Sequence, residues 1–66
     1  MRVICTANVK DDRQKANLCE CIGILGGKPI VEGDTIGVEY EGPNATVEKF
    51  VELFCHYPIY GICTSS

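Results

Sequence analysis

The order of two kinds of apolar pattern most strongly limits the folds open to this chain. Residues 2–9 alternate between the two sides of an extended segment, which predicts a half-buried strand. Asp11 precedes Gln14 by the three residues of a capping box, and Gly26-Gly27 is a stop signal for a helix. Between these signals, one helical stripe contains Leu18, Cys21, Ile22 and Leu25. The chain is therefore predicted to begin with a strand that leads directly into a helix.

The second half repeats these patterns, with a hairpin inserted before the helix. In residues 28–42, two short apolar runs flank Gly33, which can adopt positive φ, so a β-hairpin is predicted. A second helix begins at Pro43 or Asn44 and ends before Pro58, which cannot continue it. Its apolar face comprises Val47, Phe50, Val51 and Phe54. The final run, IYGICT, is predicted to be a strand.

This βαββαβ order is the split βαβ pattern of ferredoxin-like folds. Right-handed crossovers place strands 1 and 3 at the centre of a four-stranded antiparallel sheet, with both helices on one face. No repeat or linker interrupts residues 1–66, so we expect a single small α+β domain. Many unrelated functions share this architecture, so the fold does not identify one.

Charge and hydropathy exclude several classes of function. Nine acidic residues outnumber six basic ones, which gives a net charge of −3 and no basic patch for nucleic acid. No apolar run approaches the length of a membrane span, and the first nine residues are too polar for a secretory signal. We therefore expect a cytoplasmic protein that contacts no membrane and binds no nucleic acid directly.

The five cysteines are an odd number for a disulfide framework. Cys5, Cys19, Cys55 and Cys63 fall within periodic apolar patterns, and disulfides are rare in the cytosol. Free cysteine packs as a small hydrophobic residue. We therefore interpret these four residues as core positions.

Metal ligation and thiol catalysis are not indicated by the sequence. On one helix the side chains of Cys19 and Cys21 point about 200° apart. His56 is the only histidine, so no convergent set of four ligands is evident. No pattern supplies an activating partner or an oxyanion loop for a nucleophilic cysteine. We predict no metal, no cofactor and no catalytic residue.

The segment VEYEGPNATVEKFVELFCHYP resembles the third strand and second helix of acylphosphatases, over about a third of the chain. The resemblance implies the same fold, and it places Arg13 near the arginine that holds phosphate in those enzymes. The preceding loop, VKDD, lacks their glycines and carries two carboxylates that repel phosphate. The element order is also similar to that of ACT domains, which dimerise and bind amino acids near the turn into helix 1. This chain has DDRQ where those domains have a glycine.

The sheet face away from the helices is the predicted contact surface. If Val3, Cys5 and Ala7 pack under the helices, the alternate residues of strand 1 face outward. The predicted outward set is Ile4, Thr6 and Asn8 from strand 1, Gly37 and Glu39 from strand 3, and Tyr60, Ile62 and Thr64 from strand 4. An apolar cluster with a polar rim is typical of a binding surface. A register shifted by one residue would exchange the two faces.

Two classes of function remain. The first is a non-enzymatic regulatory protein, an inhibitor or interaction module of the kind carried by viruses and mobile elements. It would bind a macromolecular target and form a homodimer through the sheet face or an edge strand. A variant sequesters a nucleotide-like or amino-acid ligand between protomers, using Asn8, Lys10, Arg13 and Tyr60. The second class is a degenerate acylphosphatase-like hydrolase in which Arg13 holds phosphate. The missing glycine-rich loop favours binding over catalysis.

Overall fold

Six secondary-structure elements follow one another in the computed structural model, which describes residues 1–65. They are β1 (Arg2–Asn8), α1 (Asp12–Ile24), β2 (Pro29–Glu32), β3 (Thr35–Glu41), α2 (Asn44–Phe54) and β4 (Tyr60–Ser65). The four-stranded sheet has the order β2-β3-β1-β4, and each neighbouring pair is antiparallel. The predicted ferredoxin-like α+β fold, with strands 1 and 3 at the centre, is therefore confirmed.

Helix α1 begins at the predicted cap. The Asp11 carboxylate accepts hydrogen bonds from the backbone N–H groups of Arg13 (2.8 Å) and Gln14 (3.3 Å). These are two of the donors that a helix N-terminus leaves without an intrahelical partner. Such a cap typically contributes about 1 kcal/mol to helix stability.

The same helix ends at the predicted glycine pair. Gly26 has a φ of 89°, in the left-handed region that favours glycine. The Gly26 N–H donates to the Gly23 carbonyl (3.0 Å), and the Gly27 N–H donates to the Ile22 carbonyl (2.9 Å). These two bonds form a Schellman motif, which reverses the chain and directs it into β2.

The hairpin between β2 and β3 turns at Gly33 and Asp34. Gly33 has a φ of 60°, whereas Asp34 has a negative φ, as in a type II′ turn. The Asp34 carboxylate binds the Lys15 ammonium of α1 at 2.9 Å. Its backbone carbonyl accepts a hydrogen bond from the Val9 N–H at 2.7 Å. The turn is thereby attached to both α1 and the end of β1.

One hydrophobic core lies between the sheet and the two helices. The odd-numbered residues of β1 point into it, as alternation along a strand requires. The rings of Tyr40 and Phe50 pack with their centroids 4.9 Å apart. The core comprises Val3, Cys5, Ala7, Val9, Leu18, Ile22, Ile36, Val38, Val47, Phe50 and Phe54. Both helices cover the same face of the sheet, and the opposite face carries no helix.

Candidate binding surface

The sheet face opposite the helices is called the open face below. Residues that lie opposite one another in antiparallel strands point to the same side of a sheet, so the register defines its members. They are Arg2, Ile4, Thr6 and Asn8 from β1, Ile30 and Glu32 from β2, Thr35, Gly37, Glu39 and Glu41 from β3, and Gly61, Cys63 and Ser65 from β4. The placement predicted for the residues of strands 1 and 3 is confirmed.

The placement predicted for strand 4 is wrong. Tyr60, Ile62 and Thr64 lie opposite Ala7, Cys5 and Val3, so they point to the helix side. Ile62 packs partly buried against the core, where its apolar side chain is removed from water. Tyr60 points to the same side but lies near the rim and remains about half exposed. The open face of β4 instead carries Gly61, Cys63 and Ser65.

The centre of the open face is low because two glycines flank Thr6. Thr6 lies opposite Gly37 on one side and Gly61 on the other. Its Cγ2 atom would be 3.5 Å from a Cβ at Gly37, and its Oγ1 atom 3.1 Å from a Cβ at Gly61. Neither glycine has a side chain that would rise beside Thr6, so the surface is low on both sides of this residue. A shallow trough results, running across the middle of the sheet.

Two hollows lie on either side of Thr6 along this trough. The hollow toward β2 has a volume of about 180 Å³ and is bordered by Ile4 and Ile30. The hollow toward β4 has a volume of about 290 Å³ and is bordered by Asn8 and Ile59. Both are open recesses of a size that accepts a side chain of a partner.

The apolar part of the open face consists of isoleucines from two strands. Ile4 is 42% exposed and Ile30 is 54% exposed. Ile4 was predicted to lie on this face, whereas Ile30 was missed, because no residue of strand 2 was assigned to the face. The hairpin itself requires one parity of its first strand to face away from the helices, but Ile30 and Val31 occupy opposite parities, so the sequence does not say which one does.

Acidic side chains predominate around these isoleucines. Arg2 forms an ion pair with Glu39, and about half of each side chain is exposed. A recess of about 580 Å³ beside this pair is also lined by Lys28 and Glu41. Glu32 lies at the other end of the face, opposite Thr35, so the three glutamates of the whole open face outnumber its arginine. The surface is therefore suited to a partner that combines an apolar group with positive charge.

The turn from β1 into α1 forms a further cleft of about 410 Å³, which adjoins the hollow toward β4 at Asn8 and Ile59. Asn8, Lys10, Gln14 and Ile59 line it, so two of the predicted ligand residues meet there. Arg13 does not line the cleft. The Asp11 carboxylate already occupies the amides that a phosphate at the start of α1 would use.

The side-chain hydrogen bond between Lys15 and Asp34 accounts for two shifted pKa values near this turn. It holds the pKa of Asp34 below its ordinary value and raises the pKa of Lys15. The interaction stabilises both charged forms. Lys15 is therefore committed to the hairpin turn and leaves Lys10 as the cation of the cleft.

All five cysteines are free thiols, and they range from buried to exposed, with Cys19 and Cys21 half-buried on α1. Cys5 lies in the core, and burial raises its pKa to about 11. Cys55 and Cys63 are exposed, so the prediction that they are core positions is wrong. A hydrogen bond with Cys55 raises the pKa of Tyr60. Among residues 1–65, no three cysteine, histidine or acidic side chains are grouped as metal ligands.

Comparisons with known proteins do not extend these observations. No protein-family model matches the chain, and no similar protein was found among curated proteins or solved structures. Within residues 1–65, neither helix has the length and apolar character needed to cross a membrane.

Proposed function

We propose that this chain is a non-enzymatic binding protein that contacts a macromolecular partner through its open face. The supporting observation is the combination of exposed Ile4 and Ile30 with the trough over Gly37. A solvated sheet face ordinarily carries polar side chains. Here two isoleucines remain in water next to recesses that a partner side chain can fill.

The chemistry of the face defines the kind of partner. An apolar side chain of the partner enters the hollow between Ile4 and Ile30, where it removes both isoleucines from water. Lysine or arginine side chains flanking that anchor meet Glu32, Glu39 and Glu41 at the rim. A basic protein segment with one apolar anchor therefore fits this surface. An inhibitor would act in this way, by occupying the surface of its target.

A cytoplasmic location agrees with this proposal. Cys55 and Cys63 are exposed free thiols, and such thiols persist in a reducing compartment. We therefore expect the partner in the same compartment.

A matched pair of variants tests the proposal. Ile4→Glu places a carboxylate in the middle of the open face, whereas Ile24→Glu changes a 77% exposed residue on α1, outside the face. Each protein is immobilised, exposed to an extract of the natural host and compared by quantitative mass spectrometry. We expect a partner that wild type and Ile24→Glu retain and that Ile4→Glu loses. Equal retention by all three proteins would contradict the proposal.

A second candidate function is the sequestration of a small ligand in the cleft at the β1–α1 turn. It is favoured by the cleft volume of about 410 Å³ and by the convergence of Asn8 and Lys10 there. Native mass spectrometry of gently purified protein tests it, because a captured ligand adds mass. A Lys10→Ala variant that retains the same added mass would contradict this site.

A further inference from the structure

The backbone bonds of the central strand establish which groups of β4 are free. The Asn8 N–H donates to the Ile59 carbonyl (2.9 Å), and the Val9 N–H donates to the Asp34 carbonyl (2.7 Å). Since direction alternates along a strand, even-numbered residues of β1 bond toward β4 and odd-numbered residues toward β3. The residues of β4 that bond to β1 are therefore Gly61, Cys63 and Ser65. The backbone N–H and C=O groups of Tyr60, Ile62 and Thr64 point outward from the edge of the sheet, where no strand formed by residues 1–65 pairs with them.

The opposite edge of the sheet is much less able to pair. By the same alternation, the backbone groups of Gly37 point toward β2 and bond to those of Ile30. The backbone groups of Pro29 and Val31 therefore point outward from the sheet. Pro29 has no N–H, which leaves Val31 as the only outward donor of this short strand. Glu32 adds a charge at its end. A short edge strand with proline and charge is a common protection against pairing.

Strand β4 has none of these protections. Its six residues, YGICTS, include no charged residue and no proline. It pairs with β1 in continuous register, without a bulge. Three outward donors and three outward acceptors are therefore presented along an uncharged edge. Such an edge is a template for another strand.

We propose that β4 pairs with β4 of a second copy of this chain, in antiparallel orientation about a two-fold axis. The two four-stranded sheets then become one sheet of eight strands. A closed two-fold pairing satisfies both edges at once and leaves only the protected β2 edges outside. For this short chain, which buries little apolar surface alone, association also adds stability.

The free groups select the register of the pairing. When Ile62 of one copy lies opposite Ile62 of the other, Tyr60 lies opposite Thr64 on both sides of the axis. The three outward residues then form three hydrogen-bonded pairs, with two bonds in each. If one strand is shifted by two residues in either direction, only two hydrogen-bonded pairs remain. Tyr60 or Thr64 of each copy then lies outside the paired region. The register centred on Ile62 therefore satisfies the largest number of free groups.

The side chains agree with this register on both faces of the sheet. On the helix side, the two copies of Ile62 meet at the axis and extend the cores that each already contacts. On the open face, Cys63 of one copy lies over Gly61 of the other, where no Cβ obstructs it. No charges are opposed anywhere in the pairing, since β4 carries none. The pairing is made by backbone groups at the edge of the sheet, so it is independent of the function proposed for the open face.

Two proline variants at the two edges test the proposal. Thr64→Pro removes an outward N–H that has no bond within the protomer, and Val31→Pro does the same on the β2 edge. Two of the six intermolecular bonds are lost in Thr64→Pro, so we expect a dimer about thirtyfold weaker than wild type. Val31→Pro should dimerise as wild type does. Sedimentation velocity from about 1 μM to about 1 mM covers the range expected for a small interface.

A charge-pair experiment tests the register and covers the case in which Thr64→Pro fails to fold. In the double variant Tyr60→Lys, Thr64→Glu, each new lysine lies opposite the new glutamate of the other copy. In the double variant Tyr60→Glu, Thr64→Glu, like charges lie opposite one another. We expect the first dimer to be at least about tenfold tighter than the second. In wild type, amide exchange at Tyr60, Ile62 and Thr64 should slow as the protein concentration rises.

Several results would overturn the proposal. A wild-type protein that remains monomeric over the whole concentration range has no such pairing. A dimer that Thr64→Pro leaves intact uses another surface. Equal weakening by both proline variants, or equal affinity of the two charge variants, also contradicts pairing through β4 in this register.

Discussion

Gly27 lies so close to Phe50 that a Cβ at residue 27 would be 2.8 Å from the Phe50 Cζ atom. The same Cβ would be 2.9 Å from Cγ2 of Val38. Both neighbours belong to the buried core, so neither can withdraw into solvent. The loop between α1 and β2 therefore approaches the core at a distance that excludes any side chain.

We predict that Gly27→Ala destabilises the protein by about 1 to 3 kcal/mol, because an added methyl group overpacks the core. Equilibrium urea unfolding measures the change. A Gly27→Ala protein as stable as wild type would show that Phe50 and Val38 can move apart without loss.

Gly23→Ala is the matched control for this substitution. Nothing lies within 4 Å of a Cβ at Gly23, and the residue belongs to α1. We expect this variant to gain up to about 1 kcal/mol, because alanine favours the helix more than glycine does. Opposite signs for the two variants would separate packing from helix propensity.

The ion pair between Asp34 and Lys15 predicts a loss of stability in acid. The hydrogen bond from Lys15 holds the pKa of Asp34 below its ordinary value of 3.8. Its contribution is therefore present above pH 3.8 and is lost as the pH falls through the lowered, folded-state pKa. Urea midpoints measured from neutral pH down through this range should decline less in Asp34→Asn than in wild type.

The control is a carboxylate without this partner. Glu48→Gln changes an exposed residue on the solvent side of α2 and should leave the acid dependence of wild type unchanged. If Asp34→Asn and wild type lose stability in parallel, the ion pair does not stabilise the hairpin turn.

Cys5 predicts a loss of stability in alkali. Burial raises its pKa from 9.0 to about 11. The unfolded chain ionises this thiol first, so the contribution is complete below pH 9.0 and is lost as the pH rises toward 11. Cys5→Ala should reduce the alkaline decline of unfolding free energy by up to about 3 kcal/mol, the equivalent of the shift.

Cys63→Ala is the control, because it removes an exposed thiol from the open face. Its alkaline decline should equal that of wild type. In the folded protein, thiol reagents should modify Cys55 and Cys63 quickly and Cys5 only on unfolding. Rapid modification of Cys5 in the native protein would contradict its placement in the core.

Much of the fold could be predicted because local chemistry specifies it. Asp11, Gly26 and Gly33 each form the cap or turn that their residue type favours, independently of distant parts of the chain. The alternation in β1 separated Val3, Cys5 and Ala7 from the other parity, and the structure buries this set under the helices as expected. Each of these caps and turns depends only on neighbouring residues, so the sequence pattern alone predicts it.

The candidate site was only partly predictable because it depends on the register of edge strands. β4 carries Ile62 on one parity and Cys63 on the other, so its alternation alone does not define an inward face. The Asn8–Ile59 bond and the pairing of Ile62 with Cys5 decide it. Ile30 was missed for a related reason, since a four-residue strand gives too few alternations to assign a face.

The corrected register makes Ile62 a test of the face assignment. Ile62→Glu brings a carboxylate to the helix side, opposite Cys5 and against the core, where it is poorly solvated. We expect a loss of about 1 to 3 kcal/mol in the unfolding free energy of the monomer, measured by urea unfolding at low protein concentration. Ile4→Glu, which points away from the core, should change this free energy by less than about 1 kcal/mol. The reverse order of the two effects would show that β4 presents Ile62 to the open face after all.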